Sequence, residues 1–156
     1  MDNNGRTVTL PNTALLTEVV RMVQEGHSVT IPLRGYSMRP FLEHGRDKAL
    51  LVAPKELRVG DVVLAEVAPG TYVFHRLVAL DGENITLRGD GNIETEHCLQ
   101  GDVKAVAVAF FRKGGDKADR VDGKKWRLYS SLWTRLFPLR RYLLFAYNLC
   151  HPRRQK

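Results

Sequence analysis

A serine, a histidine and a small group of carboxylates are spaced along this chain as a nucleophile, its base and an orienting acid would be. Ser37 lies in Gly35-Tyr36-Ser37-Met38-Arg39-Pro40. A hydroxyl is a weak nucleophile at its own pKa, so it needs a sharp turn and a base within hydrogen-bond reach. Gly35 before it and Pro40 after it suit such a strand end, although the same residues also make an ordinary turn. His75 lies in Tyr72-Val73-Phe74-His75-Arg76-Leu77-Val78, part of the longest run of strand character. Imidazole can accept a proton near neutrality, whereas the guanidinium of Arg76 stays charged; the plain alternative for His75 is a polar residue on the wet face of a strand. A carboxylate bonded to the far ring nitrogen would fix the tautomer and stabilise the imidazolium formed during attack. Asp90, in Gly89-Asp90-Gly91-Asn92, is the first choice, with Glu94 and Glu96 as alternatives. That tetrapeptide has hairpin-turn chemistry as well.

Positioning these groups is the task of the surrounding elements. Leu15, Leu16, Val19, Val20 and Val23 recur at helical spacing and Gly26 follows as a carboxyl-terminal cap, which predicts an amphipathic helix over 12–26. Short β-rich runs follow at 28–33, 48–53, 61–67, 71–80, 84–88 and 103–112, divided by Gly, Pro and Asp turns. Strands at this spacing with no helices between them predict a mainly β fold, an antiparallel barrel-like or coiled domain over 1–112. The stretch 113–123, rich in Gly, Asp and Lys, reads as a polar linker. Beyond it, 124–156 reads as a basic, aromatic helical extension, with Tyr129, Leu132, Trp133, Leu136, Leu143 and Tyr147 on one face and Pro138 dividing it into two helices.

Taken together, these segments resemble the conserved boxes of type I signal peptidases and the related self-cleaving SOS repressors. The likeness runs from about Val29 to Phe111: Ser37-Met38-Arg39-Pro40 is similar to the nucleophile box, Val59-Gly60-Asp61-Val62-Val63 to a Gly-Asp-hydrophobic strand, and Gly89-Asp90-Gly91-Asn92 to a Gly-Asp-x-Asn box. His75-Arg76 resembles the Ser/His type of the endoplasmic reticulum and archaea, in place of the lysine of most bacterial members. The resemblance implies a signal-peptidase-like coiled antiparallel β-domain and a serine endopeptidase. Ser37 would attack the scissile carbonyl, and His75 would take its proton and give it to the leaving amine. Asp90 or a nearby acid would orient the ring, while the turn built by Gly35, Met38 and Pro40 would position the oxyanion with help from the Ser37 N–H. The implied substrate is an extended peptide or protein precursor with small residues before the scissile bond. Gly35 stands where some bacterial members carry a hydroxyl, and the first helix replaces the membrane anchor of the bound members.

Composition narrows the alternatives. The 156 residues are 44% hydrophobic and 26% charged, enough for one buried core. The first eleven residues are polar and resemble neither a leader nor an anchor, and the two cysteines, Cys98 and Cys150, suggest no disulfide framework; the expectation is a cytoplasmic protein. The net charge of +7 divides into −2 for residues 1–112 and +9 for 113–156. That tail could lie on the inner face of a membrane without crossing it, pack on the β-domain, or bind nucleic acid; arginines among leucines favour the first over the last. His27, His44, His97 and His151 lack metal-ligand spacing, and no phosphate loop or dinucleotide fingerprint is present, so neither metal nor cofactor is expected. Ala105-Val106-Ala107 is a small-x-small sequence of the kind a self-processing site would use, but it falls in a predicted strand. A catalytically silent peptide-binding module built on the same cleft is the alternative from another functional class.

Overall fold

The computed structural model describes residues 12–153; the polar stretch 1–11 and the end of the basic tail, 154–156, lie outside the described residues. Helix α1 (Asn12–Gln24) buries Val19, Val20 and Val23. It stops where the periodicity predicts, because Gly26 adopts φ +92° and two capping bonds close the last turn, Gly26 N–H to the Val23 carbonyl and His27 N–H to that of Met22.

Eight strands follow: β1 (Val29–Pro32), β2 (Lys48–Val52), β3 (Val62–Ala68), β4 (Thr71–Asp81), β5 (Asn84–Arg88), β6 (Glu96–Leu99), β7 (Val103–Phe111) and β8 (Ala118–Arg120). They form one antiparallel sheet in the order β1-β2-β7-β3-β4-β5-β6. β7 is its spine: β2 runs along one edge, while β3 and then β8 share the other. Breaks in register at Leu50/Leu51, Leu64/Ala65, Glu66/Ala68 and Leu77/Ala79 bend the strands and deepen the twist of the sheet.

Alternation along β3 divides the interior between two cores. Val62 and Leu64 pack with α1, β1, β2 and Trp126, whereas Val63 and Ala65 pack with Leu77, Ile85, Leu87 and Val103. Ala105 and Ala107 are buried in the first core, which accounts for their size without a processing role.

The carboxyl-terminal region departs from the expected linker and appendage. Within 113–123, β8 pairs with β7, and Asp119 is tied to Arg112 and Lys125, so charged residues that read as a solvated loop instead fasten an edge strand. Helices α2 (Lys124–Arg135) and α3 (Arg140–Cys150) flank a single 3-10 turn, Phe137–Leu139, that contains Pro138. Trp126 enters the first core between Phe41 and Phe110, with ring centroids 4.8 and 4.6 Å away. The buried face of the two helices carries Trp126, Trp133 and Leu144; Leu132 and Leu143, expected on that face, are exposed.

Candidate active site

Ser37 lies in the turn that follows β1. Gly35 takes φ +83°, a left-handed conformation that favours glycine, and its N–H donates to His44 Nδ1 at 2.7 Å. Gly35 therefore shapes the turn, and its N–H is already engaged. Met38 is buried in the first core, and the Arg39–Pro40 peptide bond is cis. Among the described residues no backbone acceptor takes the Ser37 N–H.

The turn is clamped from two sides. On one, Gly91 N–H donates to the Ser37 carbonyl at 2.7 Å, and the Gly89-Asp90-Gly91 backbone packs directly on Tyr36 and Ser37. A Cβ on Gly89 would lie 2.4 Å from the Ser37 carbonyl oxygen, and one on Gly91 would lie 2.6 Å from that of Tyr36. Both positions need glycine because backbone meets backbone there. On the other side, buried Arg39 pairs with Glu43 and donates to Asn148 Oδ1 at 2.8 Å and to the His151 carbonyl at 2.7 Å, so α3 holds the turn as well.

His75 is buried on β4, opposite Val63 of β3. Its Nδ1 lies 2.8 Å from Glu96 Oε2. An ionised carboxylate can only accept, so the ring donates through Nδ1, and in a neutral imidazole held this way the lone pair is on Nε2. Glu96 reaches it because β5 ends at Arg88, the partner of Arg76, which leaves the flank of His75 open to the first residue of β6.

Asp90, the first choice for this role, is engaged elsewhere. Its carboxylate takes a two-pronged bond from Arg76, Nε to Oδ1 and Nη2 to Oδ2, both at 2.7 Å, and a third from the Tyr129 hydroxyl at 2.8 Å. The remaining nitrogen of Arg76 donates to the Gly60 carbonyl and to Ser130 Oγ, and Trp133 Nε1 donates to the Asp90 carbonyl. Burial opposes the Arg76 charge, but the bonds to Asp90 outweigh it and hold that guanidinium above the usual arginine value. Burial, with the Asp90 charge beside it, pushes the Tyr129 phenol up, so it remains a donor. Asp90 is therefore the centre of a buried structural knot joining β4, the Ser37 turn and α2, while Glu96 meets His75. Glu94 is exposed and touches neither.

Ser37 and His75 line the same cleft, of about 190 Å³, whose walls are mainly apolar: Leu16, Ile31, Met38, Leu64 and Phe74 among them. No direct hydrogen bond joins the two side chains among the described residues. A loosened nucleophile–base contact is common where no substrate is bound.

The roles of His44, Arg39 and the Arg76–Asp90–Tyr129 knot depend on tertiary contacts that the local sequence does not signal. In the sequence Arg76 stands out as a residue that cannot be a base and as the second half of the His75-Arg76 pair, and Tyr129 as part of an apolar face; nothing local joins positions 76, 90 and 129. No protein-family model, curated protein or solved structure matches this chain.

Proposed function

We propose that this chain is a serine endopeptidase with a signal-peptidase-like coiled β-domain, which cleaves an extended peptide or protein precursor using Ser37 and His75. The observation that carries the reading is the shared cleft: Ser37 and His75 both line one mainly apolar trough, and Glu96 is bonded to His75 Nδ1, which leaves Nε2 for the proposed reaction.

In the proposed reaction Ser37 Oγ attacks the scissile carbonyl carbon and its proton passes to His75 Nε2. The tetrahedral oxyanion accepts from the Ser37 N–H. On collapse the C–N bond breaks, Nε2 protonates the leaving amine, and the acyl group stays on Ser37 as an ester. Water, deprotonated by the same nitrogen, then releases the acid. Glu96 holds the tautomer throughout. The cleft slightly exceeds an apolar cavity of about 150 Å³ known to hold benzene, so one side chain of moderate size, or two small ones, fits before the scissile bond.

Cleavage of a library of extended peptides is the test. Turnover of one sequence class by the parent, abolished in Ser37→Ala with binding retained, supports the reading. A second reading, a silent peptide-binding module, is favoured by the lack of a direct Ser37–His75 bond; saturable binding of the same peptides without cleavage by the parent would select it.

A further inference from the structure

The two carboxyl-terminal helices bury one face and leave the other uncovered. On α3, Tyr142, Phe145 and Leu149 are 66%, 72% and 75% exposed, and their i, i+3, i+7 spacing gathers them into one solvent-facing stripe. On α2, Leu128 and Leu132 are exposed one turn apart, and the connecting turn adds Phe137. So many large apolar side chains left exposed on two neighbouring helices mark the region as a contact surface.

Charge identifies the kind of partner. Residues 124–153 contain no aspartate or glutamate, and six of their seven lysines and arginines are exposed: Lys124, Lys125, Arg127, Arg135, Arg141 and Arg153. Arg140 is the buried one, packed near the rings of Trp133 and Phe137. Lys125 is paired with Asp119, and Glu94 and Glu96 line a hollow with Arg141 and Phe145, but Lys124, Arg127 and Arg135 form no ion pair among the described residues. An apolar stripe bordered by this excess of cations complements an anionic lipid surface, where acyl chains take the aromatic and leucine side chains and headgroup phosphates take the cations. A rim with more cations than acids disfavours pairing with a second copy of itself, because like charges would meet across the interface. Eleven residues at 1.5 Å each give α3 a length of about 16 Å, roughly half the hydrocarbon core of a bilayer, and no helix among the described residues is long and apolar enough to cross one.

We propose that the α2–α3 surface docks the protein flat on an anionic membrane, with Tyr142, Phe145 and Leu149 in the acyl boundary. This goes beyond the peptidase reading and does not depend on it. The test is co-sedimentation of the full chain with phosphatidylcholine vesicles with and without phosphatidylglycerol. The parent should bind the anionic vesicles, and added salt should weaken binding. Losing two large apolar contacts in Phe145→Ser/Leu149→Ser should weaken partitioning at least about 10-fold, with the thermal midpoint unchanged because both residues are exposed. Lys124→Gln/Arg135→Gln, which leaves the stripe intact, should lose only the preference for phosphatidylglycerol. Absence of binding by the parent, or unchanged binding in Phe145→Ser/Leu149→Ser, overturns the proposal. So does a parent whose stripe joins two copies in solution, seen as a dimer that this variant dissolves, or one that binds DNA through these residues in preference to vesicles.

Discussion

At the scale of single residues, two carboxylates that looked interchangeable have different surroundings. Asp90 is fully buried and neutralises Arg76, so Asp90→Asn leaves a buried cation without its counter-charge and should destabilise the fold by about 3–5 kcal/mol, read as a drop in the urea midpoint. Glu96 is partly exposed and touches His75, so Glu96→Gln should hardly move that midpoint but lower kcat by about 10² to 10⁴ with KM near the parent value. A reversed pattern would return Asp90 to the catalytic role. Asp47 provides a pH-dependent test: burial pushes its carboxyl up, but bonds from Arg46 and from the Lys113 and Glu43 N–H groups outweigh it and hold it below the usual range. Its folded-state pKa is thus depressed. The stability it contributes is present above the unfolded value, near pH 4, and is lost as pH falls through the folded one. The stability gap between the parent and Asp47→Asn should therefore narrow below about pH 4 in urea titrations.

At the scale of elements, what could be read in the sequence was what local patterning determines. Helix α1 with its glycine cap and six of the strands follow from periodicity and turn chemistry. β6, Glu96–Leu99, and β8, Ala118–Arg120, do not, because they are short and largely polar, and are held by pairing with the preceding strand rather than by their own propensity. The same blindness hid the function of Gly89-Asp90-Gly91: its turn character was plain, its contact with the Ser37 turn was not. Gly91→Ala should push that turn off its position, since the added methyl has only backbone to meet. The expected loss in kcat is about 10²-fold, the usual cost of misplacing a reacting group by an ångström, and an unchanged kcat would show that the clamp is not needed.

At the scale of the whole molecule, residues 113–153 are a structural part of the domain rather than an appendage. Composition revealed their basicity and the break at Pro138, but the entry of Trp126 into the core and the grip of α3 on Arg39 are tertiary contacts that no local pattern encodes. Trp126→Ala should cost about 3–5 kcal/mol, measurable by thermal or urea unfolding. Removing the tail would unravel the Ser37 turn along with it, so point substitutions are the cleaner probes of both surface and site. The proposed peptidase activity requires the Ser37 hydroxyl to be activated by the His75 imidazole. The most direct measurement is kcat/KM against pH for a cleaved peptide, in the parent, Ser37→Ala and His75→Ala. The predicted result is an acid limb in the parent, where protonation removes the base, and no turnover above background in either variant. Full turnover by His75→Ala, or a parent profile without an acid limb, would contradict it.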